Sequence, residues 1–292
     1  MHTGHPFGRS HVLLTGCLLL MPALDAAPAQ SINISDGNAP LERCDQLQIS
    51  FDNRPALRDE EAIQLPVGAE PLTVNLAHHG GIGLREGSAN QHDITLCKAV
   101  PDDRGADLSA IRAVVNGSLV EVAGPAGNRW AGYVIVRSPR GSHVSLSATN
   151  GPVRAESFDG QLNVRTTNGP IALLHVRGKV TARAENGPVK IEGDGGNVSV
   201  ETQNGPIGVR LMGTQWQTGD LVARAQNGPL SVELPDQYRS GVEIESSGHA
   251  PWSCDVDCGT RDNNDAGTRR ARLGDGPTHV KLSTVNGPVK VR

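Results

Sequence analysis

Six Asn-Gly-Pro triplets punctuate the second half of this 292-residue chain, at Asn150-Gly151, Asn168-Gly169, Asn186-Gly187, Asn204-Gly205, Asn227-Gly228 and Asn286-Gly287. Each proline is followed by Val, Ile or Leu. The first four triplets are spaced by 18 residues, and weaker copies at Asp159-Gly160, Arg177-Gly178 and Gly195-Gly196 fall midway between them. The unit is therefore nine residues long, and two units make one repeat. Self-similarity at a fixed period outranks local propensity, because one unit can bury its apolar face only against its neighbours.

Counting the Asn as position one, positions four and six are apolar: Val153/Ala155, Leu162/Val164, Ile171/Leu173, Val180/Ala182, Val189/Ile191, Val198/Val200 and Ile207/Val209. Polar residues such as Arg154, Asn163, Thr181, Lys190 and Ser199 stand between them. Alternation with period two, rich in β-branched residues, predicts short strands with one buried face. Asn-Gly then turns the chain, with glycine expected to supply a positive φ. A hairpin meander is the rival reading. It would start each returning strand with a proline that has no N–H to give, and it offers no reason for a recurrence of 18. A parallel β-solenoid does, since equivalent residues stack about 4.8 Å apart. The Asn side chains then form an amide ladder. The repeat is broken by five extra residues at 213–217, around Trp216, and by a polar insertion over 247–276.

The N-terminus predicts a secretory signal over 1–29: Arg9 and His11, an apolar run from Val12 to Leu24, and Ala27-Pro28-Ala29 before Gln30. Leu14-Thr15-Gly16-Cys17 resembles a lipobox, so lipidation at Cys17 is the alternative processing. Either route leads to export, to the periplasm, outer surface or medium. Four further cysteines, Cys44, Cys97, Cys254 and Cys258, form an even set that predicts two disulfides. Of three pairings, Cys44–Cys97 with Cys254–Cys258 keeps each bridge within one segment. Net charge is −4 with both signs interspersed, which excludes a basic nucleic-acid footprint.

Residues 30–46 are polar and read as a linker. Residues 47–130 alternate without a strict period and read as an N-terminal β cap, with a short helical turn at Asp107–Arg112; the regular stack then runs over 131–292. Chemistry is sparse. His78-His79, with His92 beyond, is the most suggestive metal set, yet adjacent residues of a strand point to opposite faces. Asp262-Asn263-Asn264-Asp265-Ala266-Gly267 imitates a calcium loop but has Ala at its fifth position and Leu273 where a bidentate Glu belongs. A sugar-active β-helix needs a carboxylate pair on one face. The outward position-seven residues are instead mixed: Glu156, Leu174, Glu192, Arg210 on one face and Arg165, Arg183, Glu201 on the other. Trp216 and Trp252 are the aromatics best placed in the insertions to stack on a ligand. The reading is a protein without catalytic residues, metal or cofactor.

The Asn-Gly-Pro-Val/Ile units, the signal sequence and the nine-residue half-turns resemble a bacterial adhesin-like family catalogued as a domain of unknown function. The resemblance covers Gly141 to Arg292. It implies a right-handed parallel β-solenoid and an envelope protein that binds some surface ligand, glycan or protein, or serves as a scaffold. The alternatives are a structural or stress-related envelope protein without a dedicated ligand, and a polysaccharide-active enzyme. No catalytic residues are carried over.

Overall fold

The computed structural model describes residues 31–35, 41–247, 249–256, 258, 262–264 and 267–292, with backbone only at 262–264. The signal sequence, Cys17, and Asp265-Ala266 of the calcium-like run lie outside the described residues. The chain is all-β, and most of it belongs to a large, mostly parallel sheet. Among the described residues no helix is long and apolar enough to cross a membrane.

The repeat sets the strand order. Long strands His143–Asn150, Asp159–Asn168, Arg177–Asn186, Asn197–Asn204 and Leu221–Asn227 lie side by side in parallel. Short strands Val153–Glu156, Ile171–Leu174, Val189–Gly193, Ile207–Leu211 and Leu230–Glu233 form a second parallel row. The chain alternates between the long row and the short row. Residues 18 apart therefore become neighbours: Leu162 lies beside Val180, and Ile171 beside Val189. The apolar positions four and six form the core, with Val164, Ala182 and Ile207 fully buried. Each such Val or Ile contributes about 1.5–3 kcal/mol by leaving water.

The Asn side chains form the expected ladder. Asn168 Nδ2 donates to Asn150 Oδ1 at 3.0 Å, and the same bond recurs at Asn186 (3.1 Å), Asn204 (3.0 Å), Asn227 (3.1 Å) and Asn286 (2.9 Å), each to the Asn of the adjacent turn. The corner glycines differ from expectation. Gly151 has φ of 149°, but Gly169, Gly187, Gly205, Gly228 and Gly287 do not adopt positive φ. They are glycines because turns touch there: a Cβ on Gly187 would lie 2.1 Å from the carbonyl oxygen of Gly169. The prolines fit because their carbonyls accept from the neighbouring turn, as Pro206 does from the N–H of Val189 at 2.9 Å.

The stack begins before residue 131. The long strand Leu72–Glu86 serves both rows, pairing with 144–148 through 72–76 and with 153–156 through 82–85. The cap adds Leu57–Pro66, Gln91–Val100, Arg112–Asn116, Leu119–Ala123 and Ala131–Ser138. Among the described residues its outer strand, 57–66, pairs only with 91–100, and it carries Asp59, Glu60 and Glu61, charges that discourage edge-to-edge association. The helical turn is 3-10 and lies earlier than expected, at Asp102–Ala110. The linker expectation over 30–46 is corrected. Ile32–Ser35 pairs antiparallel with Gln48–Phe51, which pairs with Arg54–Pro55. This small sheet buries Leu47, Phe51 and Cys44 against Cys97 and Tyr133 in a second core. Apolar Ile32 and Ile34 alternate with polar neighbours too briefly to stand out in the sequence.

The insertion over 247–276 is also partly folded. Trp252–Cys254 extends the short row, and Thr268–Leu273 pairs antiparallel with Gly241–Ser247. The order of turns is not sequential. The last turn, Thr278–Asn286 and Val289–Val291, lies between the 221–233 turn and the 241–254 turn. Asn286 thereby continues the ladder from Asn227, 59 residues away.

Candidate binding face

Position-seven and position-nine residues of the long row stand on either side of a groove running across the turns. Thr149, Arg165, Thr167, Arg183, Glu185 and Glu201 line it, with a volume of about 540 Å3. The register places Ser147, Arg165, Arg183, Glu201 and Arg224 in one line. Arg183 meets Glu201 at 3.6 Å with both side chains exposed, a pair worth about 0–1 kcal/mol. Arg165 stands between Ser147 and Arg183, and among the described residues no carboxylate or hydrogen-bond acceptor pairs with it.

A second groove of about 610 Å3 continues the same face around the inserted last turn. Exposed Val222, Arg224, Lys281, Glu243, Glu245 and Arg272 line it. Arg270 Nε holds Glu245 at 3.1 Å, Glu243 accepts from Thr278 at 3.1 Å, and Arg272 donates to the carbonyls of Gly274 and Gly276. Arg224 and Lys281 have no ion-pair partner among the described residues. The long-row face therefore presents Arg165, Arg224 and Lys281 free to meet an anion.

The outer face of the short row has the opposite character. Arg154 pairs with Glu156 at 3.2 Å, Lys190 with Glu192 at 3.5 Å, and Arg210 and Arg292 both with Glu233, at 3.1 and 3.4 Å. Apart from exposed Lys290, which has no ion-pair partner among the described residues, its charges pair with one another. Leu174, read as an outward member of this line, is buried. Glu192 and Glu201 lie on different rows, so they do not form a carboxylate pair.

Several sequence candidates are placed elsewhere. Trp216 is corrected from a binding aromatic to a core residue. It is 4% exposed, its Nε1 donates to the Gly196 carbonyl at 3.0 Å, and its backbone N–H donates to Ser240 Oγ at 3.0 Å. Of the five extra residues, Trp216 alone turns inward to fill a corner, and the other four are exposed. Trp252 is half-buried in its strand, donates to Ser246 Oγ at 2.6 Å, and has the Arg269 guanidinium 5.3 Å from its ring centre. It is no free stacking platform. Cys44–Cys97 and Cys254–Cys258 are both bonded. His78 stacks on Trp130 at 4.1 Å between ring centres, and burial, with the neighbouring His79 charge, holds its pKa below the ordinary histidine value. His92 is buried against Ser138 Oγ at 2.9 Å, and burial lowers its pKa too. Among the described residues no three His, Cys, Asp or Glu side chains are grouped to hold a metal. The sequence reading missed the groove itself. Its signal was the spacing of 18, which sets Arg165 against Arg183 with no intervening acid.

No protein-family profile and no curated protein matches the chain. Among solved structures it is similar to a candidate cell adhesion protein from Clostridium sporogenes, at 11% identity and a TM-score of 0.33, covering 81% of this chain and 98% of that one. A candidate adhesin from Bacteroides fragilis is 10% identical with a TM-score of 0.38, covering 80% and 96%. A candidate lipid binding protein from Parabacteroides distasonis is 9% identical with a TM-score of 0.35, covering 80% and 97%. At these scores the likeness carries no ligand, site or activity across, and the architecture rests on the strand pairing above.

Proposed function

We propose that this chain is an exported envelope protein, a β-solenoid with 18 residues per turn, whose long-row face binds an extended acidic polymer of the cell surface. The coil is read as right-handed, as the adhesin-like resemblance implies. The observation that carries the reading is the contrast between faces. The short row pairs its charges internally except for Lys290, whereas the long row leaves Arg165, Arg224 and Lys281 unpaired beside open grooves. Adjacent strands are about 4.8 Å apart, so Arg165 and Arg224 stand about 14 Å apart on a rigid line. Such a spacing suits repeated anionic groups along a chain. Two disulfides, one in the N-terminal core and one at the far end of the short row, agree with an oxidising compartment. The role is binding or scaffolding rather than catalysis.

The test is retention of isolated envelope fractions and of acidic and neutral glycans by residues 31–292, compared with an Arg165→Glu/Arg224→Glu variant. Saturable binding of an acidic polymer that falls about tenfold or more in the variant, or ~1.4 kcal/mol and up, supports the proposal. Binding that is indifferent to both substitutions places the ligand elsewhere. A folded protein that retains nothing favours a structural envelope role, for which the interlocked Asn ladder supplies the rigidity.

A further inference from the structure

We propose that the slot between the 221–233 turn and the 241–254 turn is an exchange site, into which the last turn of a second copy of this chain enters in place of the chain's own. This goes beyond ligand binding and does not depend on it. Both walls of the slot precede its occupant in the sequence. Leu221–Asn227 forms one wall and Gly241–Ser247 the other, and Thr278–Asn286 pairs with both in parallel. In the short row, Val289–Val291 pairs with Leu230–Val232 on one side and Trp252–Cys254 on the other.

The slot recognises the repeat and nothing peculiar to its own chain. Val280 and Leu282 face inward with the walls' Leu221, Ala223, Val242 and Ile244, all of them buried. Asn286 donates to Asn227 at 2.9 Å, Thr284 donates to the Gly228 carbonyl at 2.8 Å, and the N–H of Gly228 donates to the Asn286 carbonyl at 2.9 Å. A second copy supplies the same atoms in the same register. An empty slot would expose both apolar walls and two rows of unpaired backbone groups, so it must be filled. Self-filling and exchange then make the same contacts. They differ only in the tether that reaches the last turn through Gly274, where φ is 73°, and Gly276, whose N–H donates to the Arg239 carbonyl at 2.9 Å. The tether sets an effective concentration, and exchange wins when chains fold beside one another above it. Reciprocal exchange fills both slots and closes a two-fold dimer.

Val222 and Lys281 are register neighbours across this slot on the solvent face. Chains carrying Val222→Cys and chains carrying Lys281→Cys are unfolded together in denaturant with native disulfides intact. They are refolded at rising concentration and treated with a short thiol cross-linker. The proposal expects a covalent dimer containing one chain of each kind, a doubling in mass, whose yield rises with concentration. It is overturned if a Val222→Cys/Lys281→Cys double variant links within one chain while the mixture stays monomeric throughout. Light scattering on the unmodified chain is the independent measurement. A dimer formed at high concentration that persists on dilution supports exchange, and monomer at every concentration overturns it.

Discussion

Gly187→Ala separates two explanations of the Asn-Gly-Pro corner. If glycine were there for conformational freedom alone, alanine would be harmless, because φ at Gly187 is not positive. Gly→Ala at a compatible position even stabilises, by about 0.4–1 kcal/mol, through the unfolded chain. The structure predicts the opposite sign. The new Cβ would sit 2.1 Å from the Gly169 carbonyl oxygen and 2.6 Å from its carbon, and these are backbone atoms that cannot rotate away. The turns must part locally. That strains the bonds from the N–H of Gly169 to the Asn186 carbonyl and from Gly187 to the Asn204 carbonyl, both 3.0 Å. Overpacking costs about 1–3 kcal/mol. Two weakened hydrogen bonds cost about 1 kcal/mol each. The sum is about 3–5 kcal/mol. The assay is the denaturant midpoint of residues 31–292, with Gly193→Ala as control, since a Cβ there meets nothing within 4 Å. A Gly187→Ala midpoint matching that of Gly193→Ala would refute the close-approach argument.

Asn186→Ala removes one bond donated to Asn168 and one accepted from Asn204, and should cost about 1–2 kcal/mol by the same assay. Deleting 277–292 empties the slot beneath the 241–254 turn, so proteolysis should cut 234–273 rapidly while 143–211 stays protected. His92 has a folded pKa below its unfolded value of about 6.5, so falling pH protonates the unfolded chain first. Stability is then full above about pH 6.5 and declines as the pH drops below it. His92→Gln should reduce the change in denaturant midpoint between pH 7 and 5, leaving the contribution of His78, which has the same sign.

The period of the Asn-Gly-Pro units made the two parallel rows, their inward residues and the Asn ladder legible before any coordinates. What one turn is follows from local alternation. Which turn it stacks on does not, because Val280-Lys281-Leu282 carries the same apolar pattern as Val242-Glu243-Ile244 and either could follow the 221–233 turn. The last turn won that place. It carries Asn286-Gly287-Pro288, which continues the ladder and the tight glycine stack, while the 241–254 turn has no such triplet. The role of the corner glycines was misread for a related reason: φ is a local property, and the collision at Gly187 is with a residue 18 positions away. Trp216 was misplaced because an insertion reads as a loop. A single large aromatic between Gly213 and Gly219 was the sign that one side chain of this loop turns inward. The candidate binding face depends on which charges lack partners, and that is fixed by register across turns rather than along the strand.

The most direct test of the account is cysteine cross-linking at outward positions of the long row. Asn163 and Thr181, 18 residues apart, are register neighbours, whereas Ala172, midway between them, lies on the short row. Asn163→Cys/Thr181→Cys should link rapidly within one folded chain, and Asn163→Cys/Ala172→Cys should not. Efficient linking of 163 to 172, with 163 and 181 left free, would mean that successive units fold back as hairpins and would contradict the stacked two-row architecture.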